Sequence, residues 1–154
     1  MRIDFRLSEV AEVAGLSHGS TRVMRHRGQL GIARYTHRLY LTDACMVVLT
    51  GRLANLLGMS AATAARIASQ ARAIIAGVAD HWDQCGKDDT FIVFFTLPGG
   101  IWCEAAQGRI EYYKLMDAMM AQSEHEPRVS LNLSNLVMST ACALKRNNEP
   151  KFTH

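Results

Sequence analysis

The sequence predicts an α+β protein, and three observations carry that expectation. Apolar residues recur at helical spacing through the first half of the chain. After Gly86 the pattern changes to a β-branched and aromatic run. Two short helical segments near the start are separated by a glycine turn and followed by a basic stretch.

In order, Ser8 can cap a first helix whose Leu7, Val10, Ala11 and Ala14 share one face. Gly15 supplies the left-handed backbone of a tight turn, and Leu16 is placed to plug the gap between two helices. Ser17 caps a second helix, with Val23 expected inward, Arg22, Arg25 and His26 outward, and Gly28 as terminator. A basic segment containing Arg34, Tyr35, His37, Arg38 and Tyr40 follows. A third helix is expected over residues 43–57, capped by Thr42 and closed by Gly58, apolar enough for burial on more than one face. Ser60 opens an Ala-rich helix expected to run to about Cys85, since alanine and arginine favour helix strongly.

Residues 90–97 then read as a strand, Pro98-Gly99-Gly100 as a tight turn and residues 101–104 as the returning strand. Residues 109–113 read as a third strand, followed by a Met-rich helix with Leu115, Met116, Met119 and Met120. A short strand over residues 129–133, an amphipathic helix over residues 136–144 and a polar tail complete the chain. The expected organisation is a head over residues 1–75 and, over residues 76–154, the end of a connecting helix with a small module for dimerisation or partner binding.

Charge separates these parts. The 154 residues are 49% hydrophobic and 20% charged, which favours a packed core over disorder. The first 42 residues hold seven arginines, no lysine and three carboxylates, a net charge of +4, against −1 for the remainder. Arginine forks onto phosphate or onto the guanine edge, which lysine does less well. A helix pair followed by a basic loop is the order a winged helix-turn-helix requires, with the second helix in the major groove of double-stranded DNA and the loop on its backbone.

Other chemistry is not indicated. Cys45, Cys85, Cys103 and Cys142 are scattered without a C-x-x-C pair, so neither a zinc site nor a disulfide framework is expected. Asp80, His81, Asp83 and Cys85 gather ligand-type side chains, but a polar helix end accounts for them, and His125 lies in a polar connection. No phosphate loop, catalytic triad or paired-carboxylate motif stands out, so neither catalysis nor a cofactor is expected. No apolar run reaches the roughly 18 residues of a membrane span, and no secretory signal opens the chain; the expected compartment is the cytoplasm.

The head resembles the DNA-binding domain of MerR-type regulators and of related phage excisionases. The matching residues are Val10-Ala11, Gly15-Leu16-Ser17, Ser20-Thr21-Arg22 and Gly28, then Arg38-Leu39-Tyr40, Asp43 and Leu57-Gly58-Met59-Ser60. The resemblance implies a DNA-contacting arginine at Arg22 and a wing around Arg38 and Tyr40. It stops near Ile75 and departs at Val23-Met24, where the family usually carries two tyrosines. The tail lacks the family's long dimerisation helix with metal-binding cysteines, so metal sensing is not implied.

The expected DNA-binding residues are Ser17, His18, Ser20, Thr21, Arg22, Arg25, His26 and Arg27 on the second helix, with Arg34, Tyr35, His37, Arg38 and Tyr40 on the wing. Tyr40 either meets phosphate or packs beneath the wing. The expected function is sequence-specific transcriptional regulation by a homodimer, because one head makes too few contacts to specify a site. Two alternatives are an excisionase-like architectural protein that bends DNA, and a module whose tail captures a protein or small effector.

Overall fold

The computed structural model describes residues 4–84, 88–97, 99–121 and 126–148. The protein is mixed α and β: the described residues form seven α-helices and one three-stranded antiparallel sheet. Among the described residues no helix is long and apolar enough to cross a membrane.

Helix α1 spans Leu7–Val13 and α2 spans His18–His26. Arg6, rather than Ser8, is the N-cap of α1, its N–H donating to Glu9 Oε2 at 2.8 Å. Both helices close in the same way. With Gly15 at φ 68, Leu16 N–H returns to the Ala11 carbonyl at 2.9 Å. With Gly28 also at φ 68, Gln29 N–H returns to the Met24 carbonyl at 2.7 Å. Such six-to-one closures satisfy carbonyls that a helix end leaves open.

Helix α3, Leu41–Leu57, is the axis of the molecule. It starts two residues before the expected position, with Tyr40 rather than Thr42 as N-cap and Tyr40 N–H donating to Asp43 Oδ2 at 3.4 Å. Every residue from Asp43 to Gly51 is buried, because different faces of the helix meet different neighbours. Ala44, Val47 and Val48 face α1 and α2, whereas Cys45, Met46, Leu49 and Leu53 join the core shared with the sheet.

The expected long Ala-rich helix is two helices, α4 at Ala61–Gln70 and α5 at Arg72–Ala79. The break is at the buried Ala71, whose N–H is shared between the Ile67 and Ala68 carbonyls at 3.3 and 3.1 Å. That tightened turn re-aims the chain so that Ile67, Ala68, Ile75 and Ala79 all reach one core, an outcome that alanine's helix propensity does not encode. A 3-10 turn, Trp82–Gln84, follows.

Strand β1, Thr90–Leu97, lies between β2, Gly100–Gln107, and β3, Glu126–Asn132, both antiparallel to it. Its continuous apolar run has a simple cause: both of its faces are covered. Ile92 and Phe94 meet the main core, and Val93 and Phe95 meet Met119 of α6, Gly108–Ala121. The expected third strand over residues 109–113 is therefore the start of α6. Gly108, at φ 78 with its N–H on the Asp89 carbonyl, ends β2, and Tyr112 then stacks on Phe91 at 4.7 Å. Tertiary packing overrides the β propensity of the tyrosines there.

Helix α7, Leu133–Asn148, opens three residues earlier than the expected 136 and takes Leu133 from the expected strand. Leu136 and Val137 pack with α3, α5 and β1, while Leu144 packs with Val10, Ala14 and Val47. The last helix thus returns to the first, and each of the two larger apolar clusters joins residues from before and after position 75.

Candidate nucleic-acid interface

The short helix α2 positions the first group of polar side chains. Ser17 caps it, accepting the Ser20 N–H at 3.1 Å, so both serines hold the helix start as well as lying exposed there. The rotation of α2 differs from the sequence expectation. Thr21 and Met24 face inward, and Val23 is 48% exposed. Thr21 donates its hydroxyl to the Ser17 carbonyl at 2.8 Å, so it is spent inside the fold and does not belong on the outward face expected for it. His18, Arg22, His26 and Arg27 are exposed.

Residues 27–40 form the second group, and three contacts fix their course. Phe5 and Leu39 form a two-bond antiparallel bridge, at 2.8 and 3.1 Å, pinning the end of the segment to the start of the chain. Arg25 donates from Nε to the Arg34 carbonyl at 3.0 Å and from Nη2 to the Thr36 carbonyl at 3.4 Å. The Arg34 side chain lies over Gly28, where an added Cβ would stand 2.9 Å from Arg34 Nε. Gly28 is thus favoured by its left-handed φ, while the Arg34 side chain, being flexible and exposed, could shift from an added Cβ.

Arg34, His37 and Arg38 are exposed, as is Tyr35 at 83%. Arg38 pairs with Asp4 at 3.1 Å, a solvent-facing contact of small energy that a phosphate can displace. Tyr40 is 44% exposed and turns its backbone to Asp43 as the start of α3. Between Val13 and Thr42 the chain holds five arginines, three histidines and no carboxylate. The result is a pair of segments joined through Arg25, both carrying exposed cations.

Sequence reasoning missed three parts of this arrangement. Arg25 is a clamp between α2 and the loop, Phe5–Leu39 is an anchor, and Asp43 is held by Arg72 of α5 at 2.8 Å. A periodicity argument could not find them, because each joins residues whose relative placement only the fold sets.

Elsewhere, among the described residues no three metal-ligating side chains gather in one place; Cys85, part of the Asp80–His81–Asp83 cluster, lies outside them, as does His125. No protein-family model matches the chain, and a search of curated proteins finds no match.

Proposed function

We propose that the protein is a sequence-specific DNA-binding transcriptional regulator that acts as a homodimer. In this reading α1 and α2 are the helix-turn-helix, α2 enters the major groove, and residues 27–40 are a wing on the phosphate backbone. The observation that carries it is the cationic surface of Arg22, His26, Arg27, Arg34, His37 and Arg38, drawn from a stretch that contains no carboxylate and paired with an acid, among the described residues, only at Arg38–Asp4; Arg25 holds its two halves side by side. A solvated basic face needs no such clamp. A surface that must match the spacing of groove and backbone does.

The second copy is argued from α6. Ile110, Tyr113 and Met120 are 72, 62 and 71% exposed and fall with Asp117 on one stripe of the helix. Against the same helix of a second copy running antiparallel, Ile110 meets Met120, and the Tyr113 hydroxyl meets the Asp117 carboxylate. The stripe is self-complementary, as a two-fold contact requires.

Selection of bound sequences from random duplexes, followed by anisotropy titration at several salt concentrations, tests the function. The reading requires an enriched site and a logarithmic affinity that falls linearly with logarithmic salt, at about 0.9 per phosphate contacted. Absence of enrichment together with salt-independent affinity would overturn it.

A further inference from the structure

A cleft of about 500 Å³ lies on the far side of the Asp43–Arg72 ion pair, between the start of α3, α5, the 3-10 turn and α7. Its volume falls within the range of small-molecule sites. Phe5, Tyr40 and Trp82 supply aromatic wall, and Arg72 and Lys145 supply positive charge.

The charges in the cleft are unequally committed. Asp43 is almost covered, accepting from Arg72 Nη2 at 2.8 Å on Oδ1 and from the Tyr40 N–H on Oδ2. Arg72 spends one N–H there and is half exposed, which leaves further donors of its fork for another acceptor. The Lys145 ammonium lies 4.2 Å from the centre of the Trp82 ring, and among the described residues no carboxylate stands within ion-pair distance of it. Asp80, the remaining lining carboxylate, also lacks such a partner among the described residues and opposes a second negative charge.

We infer that this cleft is a binding site for a small aromatic monocarboxylate, whose ring lies against the Trp82, Tyr40 and Phe5 walls and whose carboxylate is taken by Lys145 and the spare donors of Arg72. A ring satisfies the apolar walls, and one negative charge satisfies the two cations without crowding Asp80. A cationic ligand of the same shape would face both Arg72 and Lys145.

The test is made without DNA, so its outcome is separate from that of the DNA-binding reading. The full chain carrying Trp102→Phe keeps Trp82 as its one tryptophan, since the sequence has two. Phenylacetate is titrated into this protein, with Trp82 emission and heat of binding both recorded, and phenethylamine serves as the same ring with opposite charge. The expected result is saturable one-site binding of phenylacetate at millimolar concentrations and binding of phenethylamine weaker by at least about tenfold. Lys145→Gln, an exposed change, should weaken phenylacetate by about tenfold, one charged contact's worth. No saturable heat with phenylacetate would overturn the proposal. Equal binding of the two probes, or equal binding by wild type and Lys145→Gln, would do the same.

Discussion

The Nε of Arg25 donates to the backbone carbonyl of Arg34 at 3.0 Å, so the position of one arginine on the loop is set by another on α2. Arg25 is only partly exposed, and it spends its guanidinium on backbone rather than leaving it all for a ligand. A planar fork can bond two carbonyls at once, a geometry that the single ammonium of lysine does not reproduce.

Arg25→Ala should therefore loosen residues 33–37 while the fold persists. Loss of two partly solvated charge-assisted hydrogen bonds costs about 1–2 kcal/mol, and specific DNA affinity should drop by about tenfold. Hydrogen exchange of the loop amides and anisotropy titration would check both parts. Unchanged exchange with reduced affinity would mean that Arg25 acts by touching DNA and not as a clamp.

Arg22→Ala should lower affinity for a selected site by about 1–3 kcal/mol with little change on random DNA, as expected for a lost base contact. Arg22 is exposed at the middle of α2, and among the described residues it has no side-chain hydrogen bond or ion pair that its removal would break. Parallel titrations on selected and scrambled duplexes decide. An equal loss on both would reassign Arg22 to phosphate.

Arg38→Ala should weaken binding to specific and random DNA alike and reduce the salt slope by about one unit. Its folded-state contact, the exposed pair with Asp4, contributes little, so thermal stability should barely move. A mutant that keeps its salt slope but loses sequence preference would show that the wing reads bases.

Leu144→Ala should destabilise the whole molecule by about 2–5 kcal/mol. Leu144 is fully buried near the end of α7, yet it packs with Val10, Ala14 and Val47 at the opposite end of the chain. Urea unfolding followed by circular dichroism should show one transition at lower midpoint. A separate early transition confined to the last third of the chain would contradict that coupling. For the same reason, cutting the chain after Gly86 would uncover α3 and unfold the head, making truncation a poor probe of dimerisation.

Met120→Lys is a cleaner probe of the α6 stripe. Met120 is 71% exposed and outside the cluster that joins Met119 to Val93 and Phe95, so the monomer should keep its stability. Placed opposite Ile110 of a second copy, the new charge should shift sedimentation from dimer to monomer. The same change should remove the advantage of paired half-sites over single ones. Wild-type protein that sediments as a monomer both with and without DNA would end the two-fold reading.

Much of the helical framework was legible because its signals are chemical and local. Ser17 and Ser60 cap α2 and α4 through their own hydroxyls. Gly15, Gly28 and Gly58 end α1, α2 and α3 at φ 68, 68 and 64. The change to β structure after residue 86 was equally visible, since a strand covered on both faces reads as one apolar run. The extent of the Ala-rich segment was not, because helix propensity is silent about a turn tightened at Ala71 to reach a core.

By itself, then, the sequence determined the serine caps of α2 and α4, the glycine ends of α1, α2 and α3, the place of the hairpin and where positive charge collects, since each depends on residues a few positions apart. The tertiary structure decided which way those elements face. A nine-residue helix offers too few turns to fix its own rotation, and contact with α1 and α3 turned Thr21 and Met24 inward and left Val23 outside. Residues 109–113 became helix because Met119 and Tyr112 could cover the sheet. Arg25 became a clamp because the loop passes beside it, and α7 became part of the head's core because α1 lay within its reach. Such outcomes depend on surfaces brought together by long-range packing, whose energy no local window of sequence contains.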